Sequence, residues 1–382
     1  MARSRSLRLA AAFVAFLLVA AAPELTVLGQ GNAPLPAVER DGVRYVDARA
    51  LGLEGQGWQE ADLAAPFDRF PKKAEGSVPG SVWNLSRHSA GIAVRFVADA
   101  PAIHLRWTLT SATLAMKHMP ATGVSGLDLY ARDGRGKWRW VACAAPNAEG
   151  VEQTATIDGL APGNREWLLF LPLYNGVAAL EIGVPQGAVL ERAPDVHAKP
   201  IVFYGTSITH GACASRPGMC HPAILRRRFD QPVVNLGFSG SGRMEPEVGA
   251  LVAEIDAAAY VIDCCPNLSP EETAARTPPL VRQLRAARPH VPILLVEDRR
   301  YTDGWIRPGH AARNDGNHAA LRAAFDTLVA EGVPGLSYLG GDDLLGDDAE
   351  GAVDSSHPTD LGFQRQAALF EAALRPLLRG GR

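Results

Sequence analysis

The hydrophobic pattern changes its period once, across residues 186–199, and that change limits the fold more than any other feature of the chain. Before it, short segments alternate apolar and polar residues: Ile92–Val97, Ile103–Trp107, Leu127–Tyr130, Trp138–Val141, Trp167–Leu173 and Ala179–Gly183. Turn clusters such as Asp133–Gly136 and Pro162–Asn164 separate them. Period-two strands broken by Gly-rich turns belong to an antiparallel sandwich or jelly roll. After the change, five nearly continuous apolar runs appear: Ile201–Tyr204, Val233–Leu236, Tyr260–Asp263, Ile293–Val296 and Leu336–Leu339. Helical stretches near 221–229, 245–256, 271–288, 315–331 and 360–378 lie between or after them. Strands apolar on both sides need helices on both faces, which means a parallel, doubly wound α/β sheet. The expected organisation is a flexible tail at 23–42, an all-β, jelly-roll-like sandwich at 43–185, a linker at 186–199 and an α/β domain at 200–382.

Two domains suit a chain of 382 residues. Hydrophobic residues make up 47%, enough for a core and too many for whole-chain disorder. With 38 basic and 41 acidic residues and no Lys/Arg block, nothing points to nucleic acid. Arg3, Arg5 and Arg8 precede an apolar run of 14 residues, Leu9–Ala22, which ends in small residues. That is the pattern of a secretory signal at residues 1–22, and the run is short for a bilayer span of ~20 residues. The expectation is an exported protein, periplasmic or extracellular, without stable membrane insertion once the signal is removed; an uncleaved anchor is the alternative. After export, Cys213 and Cys220 are close enough in sequence to pair. Cys264 and Cys265 sit inside a strand-like run and read as buried hydrophobes.

In sheets of this kind ligands bind at the carboxyl ends of the strands. The first strand is followed by Gly205-Thr206-Ser207, the second by Ser239-Gly240, the third by Cys264-Cys265-Pro266-Asn267, and Asp354-Ser355-Ser356-His357 stands near the C-terminus. Each has a plain reading: Gly240 as a turn glycine, Asn267 as a cap for a helix beginning near Pro270, His357 as a surface histidine. Their order and their places at strand ends argue for a common site.

These blocks resemble those of the SGNH/GDSL hydrolase superfamily, whose four dispersed motifs carry a nucleophilic Ser, a Gly, an Asn and a D-x-x-H pair. Thr206 stands where that family usually has Asp, and Leu268 where its third block usually has Asp. Gly126-Leu-Asp128-Leu-Tyr130 is similar to the G-x-D-L-Y domain that precedes some bacterial members. The resemblance implies a flavodoxin-like three-layer α/β/α fold behind a β-sandwich. It implies ester cleavage with Ser207 as nucleophile, His357 as base and Asp354 as its orienting partner. The Ser207 and Gly240 N–H groups and the Asn267 amide would form the oxyanion hole, with no metal or cofactor. Asn235 is a candidate brace for the oxyanion loop. The expected substrate is an acylated carbohydrate or another small ester, cleaved as a carbohydrate acetylesterase would. An acyltransferase on the same fold, or an inactive carbohydrate-binding protein, are the alternatives; oligomeric state is not encoded.

Other residues are ambiguous. Glu297 and Asp298 either line the cleft or pair with Arg299 or Arg300. His210 reads as packed rather than catalytic. Trp138 and Trp140 share a strand face and read as sandwich core, with sugar stacking as the alternative.

Overall fold

The structure is a computed structural model that describes residues 35–147 and 149–379. The expected export signal and the first part of the tail lie outside the described residues. No helix among the described residues is long and apolar enough to cross a membrane.

The strands of the N-terminal half are β1 (Ala37–Arg40), β2 (Val43–Asp47), β3 (Leu53–Glu54), β4 (Ala93–Ala98), β5 (Ile103–Leu109), β6 (Leu127–Arg132), β7 (Trp138–Ala144), β8 (Glu152–Ile157), β9 (Arg165–Phe170), β10 (Val177–Pro185) and β11 (Leu190–Arg192). Short helices α1 (Ala48–Leu51), α2 (Gly80–Ser86) and α3 (Ala121–Val124) interrupt them. They form two antiparallel sheets, ordered β1-β2-β10-β5-β8 and β11-β4-β9-β6-β7, with β3 paired to β4. Val46, Leu105, Trp107 and Ile182 of the first sheet meet Phe96, Leu129, Trp167 and Leu169 of the second in one apolar core. This is the sandwich expected from the period-two segments.

The second sheet is buried on both faces. Trp167 and Leu169 belong to the sandwich core, whereas Leu168 and Phe170 belong to a core shared with the C-terminal half. That division explains why this strand reads as an unbroken apolar run rather than a clean alternation.

The C-terminal half contains β12 (Ile201–Gly205), β13 (Val233–Gly237), β14 (Ala259–Asp263), β15 (Ile293–Val296) and β16 (Leu336–Leu339). Its helices are α4 (Ser207–His210), α5 (His221–Phe229), α6 (Pro246–Glu254), α7 (Pro270–Ala287), α8 (Pro308–Ala330) and α9 (Asp360–Arg379). All five strands are parallel, in the order β13-β12-β14-β15-β16. Val202, Tyr204, Tyr260 and Leu295 pack with α6, α7 and α8 on one face. Ile201, Phe203, Val261 and Leu294 pack with α5 and α9 on the other. The alternation yields the three-layer α/β/α, flavodoxin-like arrangement. Helix α8 begins at Pro308, seven residues before the expected start, with proline in its first turn, where no helical N–H is needed.

Several expectations need correction. Ala37–Arg40, placed in the flexible tail, form β1 and pair with β2. Within the expected linker, Leu190–Arg192 form β11 and pair with β4. Trp138 and Trp140 are not sandwich core. Trp138 donates to Asp230 at 3.0 Å and lies under the Arg132 guanidinium, while Trp140 is exposed and donates to Asp128 at 2.9 Å. They turn toward the C-terminal half because the face of their sheet opposite the sandwich core covers that half.

A segment the strand pattern did not reveal, residues 58–86, leaves the sandwich to cover the C-terminal half. Phe70, Ala74, Val78 and Val82 join the α6/α7 core. Strand β13 is the edge of the parallel sheet, and unpaired edge carbonyls need partners. Buried Arg69 supplies them, donating to Asn235 O at 3.0 Å and Gly237 O at 2.7 Å, and also to Leu85 O and His88 O. Burial pushes this guanidinium down to about 9.

Candidate active site

Strand β12 lies between β13 and β14, so the chain leaves it on one side and returns on the other. The crevice at its carboxyl end is the topological switch point of the sheet. Gly205 ends β12, where a Cβ would lie 2.2 Å from Thr209 Oγ1 and 2.8 Å from Asp263 O; only glycine permits helix α4 to turn back so tightly. Thr206 caps that helix, its hydroxyl accepting from Ile208 N at 3.3 Å. The threonine that departs from the resembled motif therefore has a structural task here.

Ser207 opens α4. Its Oγ is 2.8 Å from His357 Nε2, and His357 Nδ1 is 2.8 Å from Asp354 Oδ2. The loop that carries Asp354 and His357 is closed by Val353 N donating to His357 O at 2.8 Å. Asp354 Oδ1 accepts from Ser356 N at 3.2 Å and from His357 N at 2.8 Å. Partial burial acts to raise the Asp354 carboxyl, but the backbone and imidazole bonds from His357 outweigh it and hold the group below its ordinary value. Ser355, at the crown of the loop, takes a positive φ of 71°, rare for a residue with a Cβ. Its carbonyl accepts from Thr302 N at 2.9 Å, which ties this loop to the one after β15.

Gly240 has φ 67°, a left-handed conformation that suits glycine, in the turn after β13. The backbone N–H groups of Ser207 and Gly240 have no hydrogen-bond partner among the described residues. Asn267 lines the same cleft and donates one amide hydrogen to Ser241 O, leaving its second free. Asn267 is not the cap of α7; Ser269 is, in a reciprocal capping box with Glu272. Asn235 is buried outside the cleft, where its amide donates to Thr209 O at 2.8 Å and its carbonyl accepts from Gly237 N at 2.9 Å. It thereby joins the end of α4 to the start of the Gly240 turn.

The cleft has a volume of about 510 Å³, within the ~300–1,000 Å³ of small-molecule sites. Besides Ser207, Ser239, Gly240, Asn267, Asp354 and His357, it is lined by Tyr301 and His310, which sequence reasoning missed. Tyr301 and His310 follow β15, and the strand-end rule applied to that strand was the signal available. His310 Nδ1 is 2.7 Å from Asp303 Oδ1, a second His–Asp pair; the bond from Ser207 goes to His357 and not to this pair. Among the described residues no three His, Cys, Asp or Glu side chains are grouped to hold a metal ion.

The remaining candidates are structural. Glu297 accepts from Tyr338 and from Gly341 N at 2.7 Å, and Asp298 pairs with Arg313 at 2.5 Å. Neither pairs with Arg299 or Arg300. Arg299 instead holds Asp263 in a buried pair beneath the site, and Asp263 also accepts from Thr209 Oγ1 at 2.7 Å on the helix that Ser207 opens. His210 is buried against Tyr174, ring centroids 4.2 Å apart, and burial beside Arg69 and His88 keeps it well below its ordinary pKa. Cys213 and Cys220 are both free thiols, as are the other three cysteines.

Through its G-x-D-L-Y segment the sandwich half holds the stretch that follows α4. Asp128 Oδ2 accepts from Arg216 Nη1 at 2.7 Å and from Gly218 N at 2.8 Å, and Tyr130 OH meets the same guanidinium nitrogen at 2.5 Å. Arg216 and Gly218 lie between α4 and α5. Their neighbour Ser215 donates through N and Oγ to Asp360, three residues beyond His357. Tyr174 OH donates to Ser207 O at 3.4 Å.

Comparison with known proteins agrees with this geometry. The GDSL-like lipase/acylhydrolase family model matches residues 198–375, and the GxDLY model, the N-terminus of SGNH-hydrolase-type esterases, matches residues 43–190. A Bacteroides ovatus protein described as a GDSL-like lipase is 34% identical, with a TM-score of 0.83 over 88% of this chain and 98% of its own. A salicylyl-acyltransferase from a tetracycline biosynthetic pathway shares the fold at 18% identity and TM-score 0.67, covering 90% of this chain and 93% of its own. A family two carbohydrate esterase from Clostridium thermocellum, solved with cellohexaose, shares it at 14% identity and TM-score 0.54, over 76% of this chain and 93% of its own. None of the curated proteins compared with the chain matches it. With its two family matches and a 34% identical relative aligned over nearly its whole length, the chain belongs to the GDSL-like lipase/acylhydrolase family and carries the GxDLY domain in front of the hydrolase domain.

Proposed function

We propose that the protein is an exported serine esterase that removes acyl groups, O-acetyl above all, from carbohydrates through an acyl-Ser207 intermediate. The observation that carries this reading is the unbroken line Ser207 Oγ–His357 Nε2–Asp354 in a cleft of substrate size. A serine hydroxyl is a weak nucleophile until a base takes its proton. In this reading His357 Nε2 accepts that proton as Ser207 Oγ bonds to the ester carbonyl carbon. Asp354 keeps the other ring nitrogen protonated and stabilises the imidazolium. The carbonyl oxygen becomes an oxyanion facing Ser207 N–H, Gly240 N–H and the free amide hydrogen of Asn267. The C–O bond to the leaving alcohol then breaks, and His357 returns the proton to that alcohol. Water repeats the sequence on the acyl-enzyme, releasing the acid and restoring Ser207.

Solvent access favours water over another alcohol as acceptor. The His357 side chain is 27% exposed and that of Asp354 47%. A transferase that must keep water from its acyl-enzyme closes its site. The carbohydrate reading is supported by Trp305, 81% exposed, on the loop between the cleft residues Tyr301 and His310. A flat apolar face of this kind suits the C–H face of a sugar ring. The export part of the reading rests on the N-terminal charge and apolar pattern.

The test is acetate release from a panel of O-acetylated oligosaccharides, with Ser207→Ala as control. Release by the wild-type protein alone supports the reading. No release from any member, with simple acetate esters still cleaved, retires the carbohydrate substrate.

A further inference from the structure

We infer that His118, a residue of the sandwich half, contacts the leaving alcohol of the ester and helps select it. The inference rests on the esterase reading above and concerns a residue beside His357 that belongs to none of the four sequence blocks. The His118 imidazole stands over the catalytic loop, its ring centroid 6.3 Å from that of His357 and the planes tilted by 46°. His357 Nε2 is the atom that must protonate the departing oxygen, so that oxygen sits within hydrogen-bond reach of it. The rest of the alcohol then extends a few ångströms further, into the distance range at which His118 stands.

The position of His118 is built rather than incidental. Its loop leaves β5 at Ser111, whose N–H and carbonyl are held at 3.1 and 2.9 Å by the side chain of buried Asn175. Met116 and Met119 exchange backbone hydrogen bonds at 3.0 and 3.2 Å, closing a tight turn with Lys117 and His118 at its tip. Met119 is buried in the core that contains Ile208, the residue after the nucleophile. Thr122 Oγ1 then donates to Ser215 O at 2.5 Å and clamps the far end of the loop to the segment following α4. The loop is thus fixed at its root, turn and exit, and its tip is exposed. Among the described residues, the ring contact of His118 is with His357 and no core contact accounts for a histidine at that tip. An imidazole there offers a donor, an acceptor and a flat face to the alcohol that departs as the acyl-enzyme forms.

The experiment compares the wild-type protein with His118→Ala and His118→Gln on two ester series. One keeps the acetyl group and enlarges the leaving alcohol from ethanol through benzyl alcohol to an oligosaccharide. The other keeps ethanol and lengthens the acyl chain. The expected result for His118→Ala is a loss of kcat/KM that grows along the first series, to about tenfold for the largest alcohol, as for a net hydrogen bond of ~1.4 kcal/mol. Along the second series the loss stays at its value for ethyl acetate. His118→Gln, which retains a donor and an acceptor, recovers most of the loss. The inference is overturned by a loss uniform across both series, which would mean His118 acts through His357 or the fold. A loss that follows the acyl chain, or no loss at all, overturns it as well. A graded loss with simple alcohols, in a protein that cleaves no acetylated oligosaccharide, would retire the carbohydrate substrate and leave the role of His118 standing. No turnover of any ester would overturn both.

Discussion

Replacing Asp128 with alanine is expected to destabilise the protein by about 3–5 kcal/mol, at the site where the G-x-D-L-Y segment grips the hydrolase half. The carboxylate is fully buried and serves three donors: Arg216 Nη1, Gly218 N and Trp140 Nε1. Alanine leaves the buried Gly218 N–H without an acceptor, which costs about 1–3 kcal/mol. Arg216 loses its charge partner, but it is 21% exposed and keeps Tyr130 OH, so its share falls at the low end of ~1.5–3 kcal/mol for a charged hydrogen bond. Trp140 is half exposed and finds water, adding about 0.5 kcal/mol. Asp128→Asn separates shape from charge. Its amide oxygen can still accept from Gly218 and Arg216, but its NH2 then faces the Trp140 donor, and the expected cost is about 1–2 kcal/mol. The assay is equilibrium urea unfolding of the wild-type protein and both variants, read at unchanged slope. An alanine variant that loses less than about 1 kcal/mol, or an asparagine variant as damaged as the alanine one, refutes the reasoning.

Asp354→Asn should lower kcat by about 10–100-fold, less than the ~10⁴ seen where such an aspartate is buried, because this one is half exposed and solvent screens its charge; steady-state kinetics that show a loss as deep as that of Ser207→Ala would contradict this. Asn267→Ala should lower kcat on the order of 10²–10³-fold with KM little changed, as for one lost oxyanion donor, and a pure KM effect would assign the amide to ground-state binding. Stability should fall as pH drops from about 6.5 toward 4. Burial pushes His88 down to about 4 from 6.5, and His210 and His221 lie well below their ordinary value for the same reason. These imidazoles stay neutral in the fold while the unfolded chain takes up protons, so their contribution is full above 6.5 and lost through that window, about 3 kcal/mol for His88 alone. Asp68, raised to about 6 by burial, acts in the opposite sense between about 4 and 6, as do Asp128 and Asp298, raised by the same cause, and these carboxyls blunt the slope. Urea midpoints that hold constant or rise on acidification would count against the assignment of these buried rings.

The parallel sheet was legible because four of its strands are buried on both faces, and Ile293–Val296 matches its apolar run residue for residue, as does the half-buried edge strand Leu336–Leu339. The candidate site was legible through the resemblance of its four blocks: Ser207, Gly240 and Asn267 follow β12, β13 and β14, whereas Asp354 and His357 lie on the loop before α9, where no strand end marks them. Strands β1, β2, β3, β8 and β11 were not legible. β1 and β8 are edge strands with mixed polar sequences such as Glu152–Ile157, whose pairing is set by neighbours and not by pattern. The 58–86 segment escaped for a related reason. Its value lies in covering the β13 edge through Arg69 and Phe70, a tertiary need that no local period announces. Trp138 and Trp140 were assigned to the sandwich core, which neither joins, because period two gives the face of a strand but not what that face meets. His118 had no sequence signal, since nothing local brings the tip of its turn beside His357.

The most direct test of the central claim is reaction of the folded protein with a fluorophosphonate, followed by peptide mass mapping of the adduct. The account predicts one adduct, on Ser207, absent from Ser207→Ala and strongly slowed in His357→Ala, because the reagent captures a serine whose proton a neighbouring base can take. An unlabelled wild-type protein, or labelling that persists unchanged in Ser207→Ala, would contradict it.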